Sequence, residues 1–452
     1  MECRDDNYSG TWQAGFAKVD ITPPIGVWLM GFGARLHGAT GMHDPLYATA
    51  LVLCMGAEKI AIVSCDLLAL NEEHVHTIRT QVAAVTDIQP ENIMVHTTHT
   101  HAGPLVGKLR GFGEPDAAYE SVLLRKTASA IILANQRLEP VTISYGMGHA
   151  AVGINRRARL NKGAQIGENP QGAYDDRVAT LGFRRADGSG LVGCVLWAVV
   201  HPVMLGDGNY CISRDIPGKA VDRLEAAYPG SICLYLTGPT GNINPRDMTA
   251  PEKLEMVDRH GTTIAGAALM ALATGRQVPP ERLVAESVQV DVPLMPLPSA
   301  QEVEEYARIT YKSIKDTCGD VWEKRVAIDY RLRWAEDALA SIQGKPGAER
   351  QQTHIQAEFQ MMILGDVVLT TLPFEAFVEY QGIAEASAPY SDSLVVAYTN
   401  GNFGYMFTDE AFKLGGYEVT GAFQLYGLQR FTAEAPAAVT AGIRRLHAMM
   451  RK

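Results

Sequence analysis

Met94-Val-His-Thr-Thr-His-Thr-His-Ala-Gly-Pro104 begins as a β-branched run, places three histidines within six residues and stops at Gly-Pro. Such runs form strands, and glycine followed by proline ends them. On an extended backbone alternate side chains share a face, so His99 and His101 stand together, about 7 Å apart, while His96 points the other way. Neutral imidazole is the commonest protein ligand for zinc, yet an H-x-H pair fills two coordination positions at most. The third and fourth ligands have to come from elsewhere in the chain.

Four further segments repeat the pattern of an apolar run that ends on a polar residue and a chain-breaker. Leu191 to Val200 is continuously apolar, as a strand buried on both faces is, and it stops at His201-Pro202. Ser231 to Leu236 runs into Thr237-Gly-Pro-Thr-Gly-Asn-Ile-Asn244. Gly365 to Leu372 ends at Pro373-Phe-Glu375, and Leu394 to Tyr398 ends at Thr399-Asn-Gly-Asn-Phe-Gly-Tyr405. Buried strands that finish this way predict one sheet rim, where α/β proteins bind ligands, with His99, His101, His201, Glu375 and Tyr405 converging on it. On spacing alone Glu375 is a solvated turn carboxylate, and Arg156, in Gly153-Ile-Asn-Arg-Arg157, is a solvated arginine with no role.

Around these strands the spacing predicts helices at Asn71 to Val85, Ala117 to Asn135, Ile216 to Tyr228, Glu252 to Thr274 and Pro436 to Met450. Strands are expected in Gly15 to Gly33, Leu46 to Leu53 and Lys59 to Ser64. From Ser299 to about Ile342 the composition turns charged and helical, a peripheral excursion without metal-like spacing. The expected class is α/β: a mixed β-sheet core flanked by helices, a metal site at the rim of strand ends, and one domain over residues 11–452.

Composition narrows the function. The formal net charge is -10, which argues against nucleic acid or anionic lipid as the partner, since both are bound through excess Lys and Arg. The seven cysteines are scattered without C-x-x-C spacing, and Cys65, Cys194 and Cys233 lie in apolar runs, as reduced core residues do. Met1-Glu-Cys-Arg-Asp-Asp6 has no apolar leader core, and no segment has the length of a membrane span, so a cytoplasmic protein is expected, or a secreted one if a signal has been removed. G-x-S-x-G, Walker A and H-E-x-x-H motifs are absent, which removes the usual anchors of serine hydrolases, kinases and zincins.

Taken in order, several stretches carry a resemblance: Ala17-Lys-Val-Asp-Ile-Thr-Pro23, Thr98-His-Thr-His-Ala-Gly-Pro104, Gly153-Ile-Asn-Arg156, His201-Pro202, Ser213-Arg-Asp-Ile-Pro-Gly218, Gly238-Pro-Thr-Gly-Asn-Ile-Asn-Pro245, and Tyr405 with Tyr417-Glu418. The chain resembles the neutral/alkaline non-lysosomal ceramidase family. The resemblance implies one zinc per chain, held by His99, His201, Glu375 and Tyr405, with His101, Arg156 and Tyr417 lining the reaction centre. It departs at Pro373-Phe374-Glu375, where the family has Pro-Gly-Glu, and at Arg157, where the family usually has serine. The C-terminal β-sandwich domain of typical ceramidases is not found in the sequence. The implied activity is hydrolysis of an N-acyl bond in a small-molecule substrate by metal-activated water. Alternatives are a zinc esterase or lactonase on a small substrate, and a non-enzymatic zinc-stabilised binding protein.

Overall fold

The computed structural model describes residues 11–160, 163–388 and 390–451. The segment Met1 to Asp6, with Cys3, lies outside the described residues.

Because the long apolar runs have no polar face, each of their strands is covered on both sides. The larger sheet is ordered Ile232–Thr237, Leu191–Ala198, Arg177–Arg185, Glu139–His149, Trp12–Asp20, Tyr47–Met55, Glu58–Cys65, Ile93–Thr97, with the short Arg276–Val278 paired to Glu139–His149. Its two outer pairs are parallel and its middle is antiparallel. The expected mixed sheet flanked by helices is present. The structure corrects the single rim: Leu283–Pro293, His354–Leu364, Val367–Thr371 and Asp392–Val396 form a second sheet. An apolar run states that both faces are buried but not against what, so two sheets packed face to face look the same in sequence as one.

Side-chain alternation sorts residues among the layers. Ala48, Ala50 and Val52 face the helices Glu72–Ala83 and Ala117–Asn135, joining Val75, Ile78 and Ile131. Leu51 and Leu53 face the second sheet and share a cluster with Leu369, Leu394 and Val396. On the far side of that sheet, Val368 and Val395 pack under Val439, Ile443 and Leu446 of the helix Ala435–Ala448. Helices Asp215–Ala227 and Lys253–Thr274 cover the rest of the larger sheet. The result is four layers: helices, sheet, sheet, helices.

Glycines set the closeness of one contact. A Cβ on Gly146 would stand 2.0 Å from the Ala271 carbonyl, and one on Gly148 would stand 2.3 Å from that of Ala267, so the helix Lys253–Thr274 lies directly on the strand. The six cysteines among the described residues are unbridged.

The helical excursion consists of Ala300–Thr317, Trp322–Ile328 and Tyr330–Ile342. Trp334 donates to the Leu428 carbonyl at 2.8 Å and packs edge-on against Phe423. Arg110, in the glycine-rich loop after the histidines, pairs with Asp337 at 2.6 Å. These contacts fasten the excursion over the loops at the strand ends.

Candidate metal centre

The strand Ile93–Thr97 ends two residues before His99. His99 has φ of +66°, a left-handed conformation uncommon outside glycine. The extended geometry expected for His99 and His101 is therefore corrected: the turn closes the 7 Å spacing, and their Nε2 atoms stand 3.4 Å apart. His101 Nε2 is also 3.0 Å from Nε2 of His201, which follows the strand Leu191–Ala198. The three imidazoles form one group that could hold a metal ion. His96 points away, as expected: its Nε2 accepts from the Thr237 N–H at 3.0 Å, and its Nδ1 contacts Ser64 Oγ at 2.8 Å. Burial pushes its pKa down to about 3, so it remains neutral.

Ring orientation shows which lone pairs are free. His99 Nδ1 lies 2.8 Å from the Leu68 carbonyl and His201 Nδ1 lies 3.2 Å from that of Thr240. A carbonyl only accepts, so each Nδ1 carries the proton and each Nε2 is turned into the centre as a donor to a metal, the usual support of a ligating histidine. Burial above all holds His201 well below the ordinary imidazole range. His101 differs: it is the least buried of the three, and its Nδ1, packed on Gly31, makes no hydrogen bond of ordinary geometry.

Glu375 comes from the second sheet's side of the junction, where Glu375–Ala376 pairs parallel with Tyr405–Met406. It is 1% exposed, so it is no solvated turn carboxylate. Its Oε1 accepts from Tyr426 Oη. Its Oε2 lies 3.1 Å from His99 Nε2 and 3.8 Å from His201 Nε2, and it has no hydrogen-bond donor. Burial pushes this carboxyl up, but His99, Tyr426 and Arg156 outweigh that and hold it below its usual range. A buried carboxylate oxygen facing two imidazole nitrogens is satisfied by a positive charge between them, a proton or a cation. The donor set fits a metal.

Arg156 is 6% exposed, which corrects its reading as a solvated turn residue. Its Nε donates to Glu418 Oε1 at 3.1 Å, and its guanidinium lies 5.2 Å from the centroid of the Tyr405 ring. Nη1 reaches Asn244 Oδ1 at 3.3 Å, while Nη2 is buried without a partner. Tyr417 packs edge-on against Tyr405 with ring centroids 5.8 Å apart. All seven expected residues thus gather in one neighbourhood.

Three participants escaped the sequence reading. Tyr398 stacks on His99 with centroids 4.0 Å apart and shares a hydrogen bond with Thr240. Glu418 holds both Arg156 and Arg157, and Tyr426 holds Glu375. Tyr398 ends one of the apolar runs and Glu418 closes the Tyr417-Glu418 pair, so both stood in stretches already singled out, without a role. Tyr426 ends the short helix Phe423–Tyr426, apart from any motif, and the Leu68 and Thr240 carbonyls belong to backbone that any residue supplies.

The family model of the neutral/alkaline non-lysosomal ceramidase N-terminal region matches residues 12–235. A neutral ceramidase of Pseudomonas aeruginosa is 27% identical over 254 residues, which are 52% of this chain and 37% of that protein. The aligned part thus spans little more than a third of the relative's length. The crystal structure of neutral ceramidase from Pseudomonas aeruginosa superposes with a TM-score of 0.75 at 19% identity, covering 98% of this chain and 75% of that one. The structure of a ceramidase complexed with C2 gives the same TM-score and identity, with 76% of that chain covered.

Proposed function

Since this chain belongs to the neutral/alkaline non-lysosomal ceramidase family, we propose that it is a zinc-dependent amidohydrolase that cleaves an N-acyl bond, with residues 11–452 acting as one hydrolase domain. The observation that carries the reading is Glu375 Oε2, buried without a donor against the Nε2 atoms of His99 and His201. Two imidazoles, a carboxylate and the neighbouring Tyr405 phenol make a mixed nitrogen and oxygen set suited to zinc, one ion per chain. Bound zinc supplies a water acidic enough to be hydroxide near neutral pH, and a Lewis acid for the acyl oxygen.

The protein's own groups divide the remaining work. Leu68 and Thr240 fix the two ligating rings through Nδ1, and Tyr426 fixes the carboxylate through Oε1. Arg156 is itself held by Glu418 and keeps Nη2 free, so it orients the substrate through that N–H. His101, the least buried of the three imidazoles, hands a proton to the leaving amine. Tyr417, beside Tyr405, donates to the oxyanion of the tetrahedral stage.

The test is metal analysis of the purified protein together with turnover of a panel of N-acyl amines before and after chelation. Zinc near one per chain and amide cleavage that chelator abolishes and zinc restores are expected. Protein without zinc, or zinc-loaded protein inert to every amide, overturns the reading; the second result is that of a zinc esterase or lactonase if small esters are cleaved, and of a metal-stabilised binding protein if they are not.

A further inference from the structure

A cavity of about 630 Å³ adjoins the metal centre. Tyr405 and Tyr426 line it, and Tyr426 Oη donates to Glu375, so one aromatic ring separates its contents from the metal-facing carboxylate. Its walls come from the loop after the histidines, from the chain following the helical excursion and from residues 402–431.

Most charges around it already have partners. Glu73 pairs with Lys108 at 3.0 Å, Glu349 with Arg110 at 2.9 Å, and Glu418 with Arg156 and Arg157. Among the described residues, Arg430, Arg350 and Glu72 remain without ion pairs. Arg430 makes no side-chain hydrogen bond, its guanidinium is 5.2 Å from the centroid of the Phe412 ring, and its Nε is buried and unpartnered. Asn402 uses Oδ1 to accept the Gly404 N–H at 2.9 Å, which leaves Nδ2 as a second buried donor without a partner. Glu72 opposes a negative guest only in part: burial, with Glu358 and Glu73 nearby, pushes its carboxyl up to about 7, so near neutral pH it is also a hydrogen-bond donor.

Unpaired cations and orphaned donors in one cavity define an acceptor of anionic oxygen. A wholly apolar guest would leave Asn402 Nδ2 and Arg430 Nε desolvated and unpaired. We propose that this cavity receives an anionic oxygen group, a carboxylate or a phosphate, of the substrate whose acyl bond is cut at the metal centre, with Arg430 pairing with it and Asn402 donating to it. The substrate class is therefore N-acyl compounds that bear an acid, and this rests on the amidohydrolase reading above.

Three matched substrates test it with the zinc-loaded enzyme: N-hexanoylglycine, its primary amide, and N-hexanoyl-O-phosphoethanolamine. One of the two acids should show a KM about 10- to 100-fold below that of the amide, the size of one charge-assisted hydrogen bond; which one does so separates carboxylate from phosphate. Arg430→Met should bring the ratio of acid to amide near one, Arg430→Lys should restore part of it, and Asn402→Asp, which keeps the contact to Gly404, should raise the acid's KM. An amide bound as well as both acids, or a preference that survives Arg430→Met, overturns the proposal. Calorimetric titration of the protein with inorganic phosphate reads the cavity without turnover. Saturable binding weakened about tenfold by Arg430→Met supports the cavity even if no amide is cleaved, and binding indifferent to that substitution counts against it even if amides are.

Discussion

His101 differs from its two neighbours in exposure and in packing its ring on Gly31. His99 and His201 present Nε2 because carbonyls hold Nδ1, whereas His101, less buried and packed on Gly31, reaches both of them at 3.4 and 3.0 Å. His99→Ala and His201→Ala are each expected to lose zinc and activity while far-UV circular dichroism stays native. His101→Ala should keep zinc by metal analysis and lose about 100- to 1,000-fold in kcat with less change in KM, as when one transition-state donor is removed. Loss of zinc from His101→Ala would make it a third imidazole ligand. At this scale the H-x-H and His-Pro pairs were legible because a histidine at a strand end has few structural uses. Arg156 was not, because its burial depends on Glu418, 262 positions away.

Elements whose pattern repeats within a few residues were read closely. Ala117–Asn135 has the expected bounds, and Asn71 caps Glu72–Ala83 by accepting the His74 N–H while its own N–H donates to His74 Nδ1. What the apolar runs hid was partnership, since Val367–Thr371 and Leu191–Ala198 look alike yet lie in different sheets. The glycines on the strand Glu139–His149 carry such a long-range constraint. Gly146→Ala would drive a Cβ to 2.0 Å from a helix carbonyl that cannot rotate away, so strand and helix must separate. A loss of about 3 kcal/mol is expected in chemical denaturation, near the upper end for overpacking. Gly188→Ala, where nothing lies within 4 Å but φ is +79°, is the control for conformational strain alone.

Across the whole molecule, the candidate metal site lies where the two sheets meet. Ala397 N donates to the Thr237 carbonyl at 3.0 Å, Trp197 Nε1 to that of Val395 at 2.8 Å, and His96 bridges to Thr399. One buried acid ties the loop after His201 into this frame: Asp215 accepts from Leu205 N at 3.1 Å and from Ile216 N at 2.7 Å. Burial pushes its carboxyl up to about 6 although those N–H groups pull it down. The unfolded value is about 3.9, so from about pH 4 to about pH 6 the folded state binds more proton than the unfolded chain, and this group's stabilising contribution is lost as pH rises through that window. Asp215→Asn should flatten the fall in urea stability over that range, and an unchanged slope would assign the pH dependence to other groups. The sequence by itself determined the local facts: which runs are strands or helices, which histidines end them, and which family supplies the pattern. Those follow from periodicity, chain-breakers and side-chain chemistry within a dozen residues. The tertiary structure alone decided that there are two sheets, that a left-handed turn brings His99 and His101 together, and that Tyr426, Glu418 and two carbonyls support the site. Each of these depends on which distant surfaces exclude water from one another, and a one-dimensional pattern does not record that.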